Sequence, residues 1–321
     1  MESTSVYWIP VWNVLEGHFR MKLVNPYFIR QLPGRKSDVK DAEWIATCLK
    51  KDLIRGSYVP ESIVRQLRQY NRMIYDLNKE ISRKLVKLDA CLQRCNIRLS
   101  NYVSTVDSKS YQSVVKAISE GVTDPETLLE KVHRRTVNRC GRSTILASLS
   151  GVITETDCEI MGMLLSELEI SREHLSKCQK KMSRMCRDHF PRHFENIQTM
   201  PGVGERSATA IIAEVGVDMG TALVSWAGLK PRNDESAGKI KSRRITHGNK
   251  YLRKSMVECS WAAAKTRNCF FNRFSYTQTV VRHKNRQKVQ VAIARKMLVA
   301  VWHILTEGVA YREYLDHQEA A

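Results

Sequence analysis

The chain has 321 residues, 43 % of them hydrophobic, a formal charge of +19 and a pI near 9.7. That length and apolar content suffice for two or three packed units, and the cationic surplus points to an anionic partner, because cations that neutralise phosphates release condensed counterions. No run approaches the apolar length needed to cross a bilayer, the first residues lack a secretory pattern, and nine irregularly spaced cysteines read as reduced thiols, so a cytoplasmic protein without membrane contact is expected.

Near the N-terminus, Met21-Lys22-Leu23-Val24-Asn25-Pro26 is a short apolar segment, and Leu32-Pro33-Gly34-Arg35-Lys36 leads into Ser37-Asp38-Val39-Lys40-Asp41-Ala42-Glu43-Trp44, which continues as a helix. Asp38 and Asp41, three apart, fall on one helical face, where two carboxylates repel unless a cation sits between them. Mg²⁺, held by one or two carboxylates plus phosphate oxygens, fits such a pair. The spacing equally suits a solvated first turn, where acids favour the helix dipole.

The middle of the chain reads as two long helices. Ile63, Leu67, Tyr70, Ile74, Leu77, Ile81, Leu85, Leu88, Leu92, Cys95 and Leu99 form a heptad seam with one stutter. Met161, Leu164, Leu168, Leu175, Cys178, Met182 and Met185 form a second, with polar Ser171 in the vacant position. The two can pair as an antiparallel coiled coil, with turn signals at Gly121 to Pro125 and Gly141 to Gly151 implying short helices between. Such a stripe predicts packing and self-association, to a dimer or tetramer, and carries no chemistry; Cys91 and Cys95 read as packing residues on it. Cys186, His189 and His193 are possible zinc ligands, but no fourth stands at a metal-site spacing.

From Pro191 a third unit begins. Thr199-Met200-Pro201-Gly202-Val203-Gly204-Glu205-Arg206 reads as a helix-hairpin-helix turn, in which Gly202 and Gly204 let the backbone approach a phosphate at the start of the next helix. The same string also suits a Gly-terminated helix pair with no ligand. Ser225-Trp226-Ala227-Gly228-Leu229-Lys230-Pro231 follows, then Ser236-Ala237-Gly238-Lys239, then a basic run with Lys241, Arg243, Arg244, His247, Lys250, Arg253 and Lys254. Cations around Ser236 could neutralise the charge that develops when a hydroxyl attacks a phosphodiester, while Ser-Ala-Gly is also a common turn.

The opening strings, through Asp41, resemble the N-terminal domain of the bridge-RNA-guided transposases of bacterial insertion sequences, which carries a RuvC-like (RNase H type) Asp-Glu-Asp-Asp metal site. Ala227-Gly228-Leu229-x-Pro231, Ser236-x-Gly238-Lys239, Gly248-Asn249-Lys250-Tyr251-Leu252-Arg253 and Gln287 to Lys296 resemble the C-terminal transposase domain of that family. Ser5 and Ala237 stand where its pattern has Gly. The resemblance implies that Glu2, Asp38 and Asp41 are the last three metal ligands, that Ser236 is the nucleophile, and that Lys239, Arg243 and Arg253 contact phosphate. The first Asp has no counterpart, so a truncated copy or a start placed at an internal Met is expected, with recombination activity lost.

The expected fold is mainly α with a small α/β part: a partial RuvC-like domain over 1–60, a coiled coil and connecting helices over 61–190, and a helical helix-hairpin-helix domain over 191–321. The resemblance implies metal-assisted serine attack on DNA at element ends and target, guided by a structured element-encoded RNA, with Mg²⁺ as cofactor and a homo-oligomer as the working form. An inactive nucleic-acid-binding relic and a junction-resolving nuclease are the other readings.

Overall fold

A computed structural model describes residues 1–26, 41–54, 56–217, 223–230, 234–236, 239–242 and 244–312. It is mainly α-helical and divides into two compact units, Met1–Ile63 and Val64–Ala321.

In the first unit, α1 (Trp8–Leu15) precedes a short extended segment at Leu23 and Val24. Val24 bridges Glu2 in parallel and Leu23 bridges Ser57 in antiparallel fashion, so this segment is paired along both edges. The Val24 amide donates to the Met1 carbonyl at 2.9 Å, Ser3 donates to Val24 at 2.8 Å, and Ser57 donates to Leu23 at 2.6 Å. Helix α2 (Asp41–Lys50) closes the unit by packing Cys48, Trp44 and Ile45 with Val24 and Ile54. This is the small α/β part in miniature: polar backbone satisfied by neighbouring segments, one apolar face covered by a helix.

The second unit is organised by α3 (Ser62–Arg94). The short helices α4 (Lys109–Ser119), α5 (Pro125–Glu130), α6 (Arg134–Cys140) and α7 (Arg142–Leu149) come next, followed by α8 (Glu155–His189). Leu67, Leu77, Ile81, Leu85, Leu88 and Leu92 of the first seam are buried, as are Met161, Leu168, Met182 and Met185 of the second. The long helices run antiparallel, since Arg94 reaches Asp157 at 2.6 Å while Lys84 reaches Ser171 at 2.8 Å. Ser171 is buried at the polar position of its seam, and Lys84 Nζ also donates to the Glu167 carbonyl at 3.0 Å. A buried polar residue in a seam is costly unless paired, so this contact fixes register. Cys91 and Cys95 are buried, and burial pushes the Cys95 thiol up to about 11.

The short helices are inserted at the Arg94 end of this pair, in one core with both long helices. Fully buried Tyr111 ties α4 to α3 by donating its hydroxyl to Asp89 at 2.8 Å. Gly151 lies where a Cβ would stand 2.1 Å from the Cys95 carbonyl oxygen, which explains a glycine at the entry to α8.

The C-terminal part comprises α9 (Pro191–Gln198), α10 (Glu205–Val215), α11 (Leu223–Trp226), the two-stranded β1 (Asp234–Ser236) and β2 (Lys239–Ser242), α12 (Lys250–Ala263), α13 (Phe270–Tyr276) and α14 (Arg286–Glu307). Helix α14 corrects one expectation: its 22 residues are long and apolar enough to cross a bilayer. Its Val289, Ile293, Met297, Leu298 and Val301 are buried, and it packs on α12, so here that apolar length forms a core.

Asp157 closes a reciprocal cap with Thr154 and accepts from Arg94, and its side chain is only 10 % exposed. The Thr154 hydroxyl first, then the Arg94 guanidinium, hold its carboxyl well below the ordinary 3.8. Because the folded pKa lies below the unfolded one, the stabilisation is complete above about pH 5 and is lost as pH falls through the folded value. Asp157→Asn is expected to cost about 1–2 kcal/mol in urea unfolding at pH 7. The gap from wild type should narrow below about pH 4, and a gap constant down to pH 2 would show that the charge is not responsible.

Candidate functional site

The three carboxylates of the N-terminal unit are placed unequally. Glu2 is half-buried in the bridge to Val24, Asp41 is the first residue of α2, and Asp38 lies outside the described residues. The Asp41 side chain is not described. What the fold does show is that α2 packs on Val24, the residue bridged to Glu2, so the elements bearing Glu2 and Asp41 share one small core. Carboxylate oxygens are the donors that a hard divalent cation takes, so the chemistry of this set fits a metal. Among the described residues no cluster of three His, Cys, Asp or Glu side chains is assembled. Cys186 is buried with its thiol pushed up to about 12 by desolvation, whereas His189 is exposed.

In the second unit, α9, the turn at Met200 to Gly204, and α10 form a helix-turn-helix pair. Its two glycines divide their roles. Gly202 has φ +81°, and a Cβ there would stand 2.5 Å from the Ala263 amide nitrogen and 2.6 Å from the Cys259 carbonyl oxygen, so it serves close packing of the turn on α12. Gly204 is exposed, has nothing within 4 Å of a Cβ position, and occupies the N-cap of α10. Only Gly204 leaves space for an approaching ligand at the positive end of the helix dipole. Glu205, next in sequence, is held by Arg187 at 2.7 Å and by the Ser183 hydroxyl.

Ser236 is the last residue of β1, and its cross-strand partner is Lys239, the first residue of β2. The strands therefore bring together two residues singled out for chemistry, at the level of the backbone. Glu235 pairs Ile240 and Asp234 pairs Ser242, with an irregularity between Asp234 and Glu235. Arg243 lies outside the described residues, and Arg253 is half-buried in the first turn of α12.

The segments leading into and out of this strand pair are zipped together. Thr246 donates its amide to the Lys230 carbonyl at 3.0 Å and Asn249 donates to Trp226 at 2.7 Å. Gly228, with φ +66°, and Gly248 allow the approach: a Cβ on Gly248 would stand 2.2 Å from the Gly228 nitrogen. Asn249 then caps α12, accepting from the Tyr251 and Leu252 amides at 2.9 and 3.1 Å.

One completely buried carboxylate, Glu214 at the end of α10, joins these pieces. It accepts from Asn71 of α3 at 2.8 Å and from Asn249 at 2.7 Å. Arg68, one turn before Asn71, donates to the Glu214 and Ala213 carbonyls at 2.7 and 3.1 Å, and its guanidinium lies 5.3 Å from the Trp226 ring centroid. Sequence reading passed over Arg68, Asn71 and Glu214. The available signal was a lone acid within the otherwise small and apolar Ala208 to Val215 stretch, which cannot be buried without partners.

Three substitutions test this anchoring. Asn249→Ala removes a helix cap and leaves a buried Glu214 oxygen unpaired, so a loss of about 3–5 kcal/mol is expected in urea unfolding. Gly248→Ala, forced against backbone, is expected to cost about 1–3 kcal/mol, whereas Gly204→Ala, facing open space, costs about 1 kcal/mol or less. Equal effects of the two glycine changes would overturn the close-approach account.

Comparison with known proteins gives two family matches in chain order. A profile for DEDD transposases of the IS110 type matches residues 1–97, and one described as the transposase IS116/IS110/IS902 family matches residues 194–275. A protein named as a candidate transposase, y4pF/y4sB, of Sinorhizobium fredii is 21 % identical over 305 residues, covering 92 % of this chain and 69 % of the relative. The transposase for insertion sequence element IS1111A of Coxiella burnetii is 24 % identical over 174 residues, 52 % of this chain and 47 % of that protein. The first match takes in both Glu2 and α2, and the second spans the hairpin, Ser236 and all of α12, so the chain belongs to the IS110/IS116/IS902 family of insertion-sequence transposases.

Proposed function

We propose that this chain is built for DNA cleavage and strand exchange at its insertion sequence, with Ser236 as nucleophile and a structured element-encoded RNA supplying sequence choice by base pairing. The observation that carries the reading is the pairing of Ser236 with Lys239 on strands whose feet are zipped at Gly228 and Gly248 and tied to buried Glu214. A nucleophile must be held against its target while its tip stays open to a large substrate, and an anchored strand pair supports both.

In the proposed step the Ser236 oxygen attacks a DNA phosphorus, forming a serine phosphodiester. The bond from phosphorus to the leaving deoxyribose oxygen breaks, and the serine proton ends on that oxygen. One phosphodiester is exchanged for another, so no energy source is consumed. Lys239, Arg243 and Arg253 are proposed to neutralise the phosphate, and Gly204 to admit backbone at the start of α10. Glu2, Asp38 and Asp41 would hold Mg²⁺, which when bound offsets charge on the phosphoryl oxygens. Residues 1–60, 61–190 and 191–321 are assigned the metal-bearing, spacer and serine-bearing roles. The working form is a cytoplasmic dimer or tetramer in which carboxylates of one protomer meet the serine of another.

The test is an SDS-resistant adduct formed on a nicked suicide DNA substrate in the presence of RNA and Mg²⁺. Ser236→Ala should abolish the adduct with DNA affinity changed less than about twofold, because only a hydroxyl is lost. Adduct at normal yield from the alanine variant would refute the nucleophile.

A further inference from the structure

Helix α3 presents Arg72, Tyr75 and Lys79 along one face, and α12 presents Lys250, Tyr251 and Lys254 in its first turns. The tyrosine rings meet edge to face at 4.9 Å between centroids. Arg72 lies 5.3 Å from the Tyr251 ring; Lys79, Lys250 and Lys254 lie 4.5, 5.6 and 5.0 Å from the Tyr75 ring. All four cations are exposed while both tyrosines are half-buried, so the rings form a floor and the charges a rim.

The acids nearby do not balance this charge. Glu258 pairs only with Lys254, at 3.8 Å, and Glu205 is engaged by Arg187. Among the described residues, Arg72, Lys79 and Lys250 form no ion pair. The first turn of α12 contains no acidic residue, yet Lys250, Arg253 and Lys254 crowd its opening, where the helix dipole repels cations. Repelling cations placed on an aromatic floor, of which only Lys254 has an acidic partner among the described residues, suit an external anion. The floor also opens into a cleft of about 550 Å³ that Tyr75, Tyr251 and Lys254 line together with Arg206 and Ser207 at the start of α10.

We infer that the Tyr75–Tyr251 pair and its four cations are a binding platform for the phosphodiester backbone of duplex DNA, leading it to the opening of α10. This rests on the reading of the chain as DNA-acting and adds a location that neither the serine nor the carboxylates supply. The cations exchange ring faces for phosphates, and the tyrosine hydroxyls are available as donors.

The experiment uses the full chain and a fluorescein-labelled 30-base-pair DNA of arbitrary sequence, with anisotropy titrations from low to moderate KCl. Wild type is compared with Arg72→Gln/Lys79→Gln/Lys250→Gln and with a control, Lys131→Gln/Arg134→Gln/Arg135→Gln, which removes the same charge from exposed positions around α6. The platform variant should bind roughly 10- to 100-fold more weakly, with a log-log salt slope smaller in magnitude by about 2–3, and the control should change both far less. Equal losses from the two variants would overturn the inference in favour of net charge alone. Binding by the platform variant at wild-type strength would overturn it while leaving a DNA-acting chain intact. A platform-dependent loss seen with an RNA hairpin but not with duplex DNA would overturn the assignment to DNA. Wild type that binds no DNA at all would refute the functional reading itself, and the platform with it.

Discussion

Glu214 is the constraint around which the C-terminal part is built. A fully buried carboxylate is tolerated only when its oxygens are hydrogen-bonded, and here the two donors come from different elements: Asn71 on α3 and Asn249 at the head of α12. Asn249 also caps α12 and bonds Trp226, so one side chain and its own amide link three segments. Shifting any of them would strand a charge in the interior. The long helix, the hairpin helix and the feet of the Ser236 strands therefore hold one another in place.

That arrangement separates rigidity from accessibility. Gly228 and Gly248 let two backbone segments touch where any Cβ would collide, which closes the base of the strand pair. Gly202 does the same for the turn on α12, and of the two glycines in that turn it is Gly204 that faces open space. A transposase must hold reactive groups still while admitting a long polyanion, and small residues at the base accomplish the first without obstructing the second.

Charge is organised in the same spirit. Cations that serve the fold are paired: Arg94 with Asp157, Arg187 with Glu205, Lys84 with Ser171 and Glu167. Those around Tyr75 and Tyr251 are exposed, and apart from Lys254 they form no ion pair among the described residues. A surplus of +19 spread evenly would raise solubility and non-specific attraction, whereas a local cluster beside a helix opening offers a backbone a particular track.

Much of the secondary structure was legible in the sequence. Periodicity determined the second seam and the first as far as Leu92, because a helix repeats its face every three or four residues whatever surrounds it, while Cys95 and Leu99 lie past the end of α3 at Arg94; turn chemistry located the Pro201-Gly202 bend. Ordered motifs likewise placed Ser236, Glu2 and Asp41 as candidates. Tertiary structure decided what those local signals share between two outcomes. Helix α14 has a composition suited equally to a bilayer or a core, and packing on α12 selects the core. Gly202 and Gly204 look alike in sequence, yet α12 fills the space over one and not the other. The Glu214 partners lie 143 and 35 residues away, and the Tyr75–Tyr251 contact spans a still longer loop than the latter. No local pattern encodes such pairs, because they arise only when distant apolar faces are buried together and the polar groups carried with them must find partners.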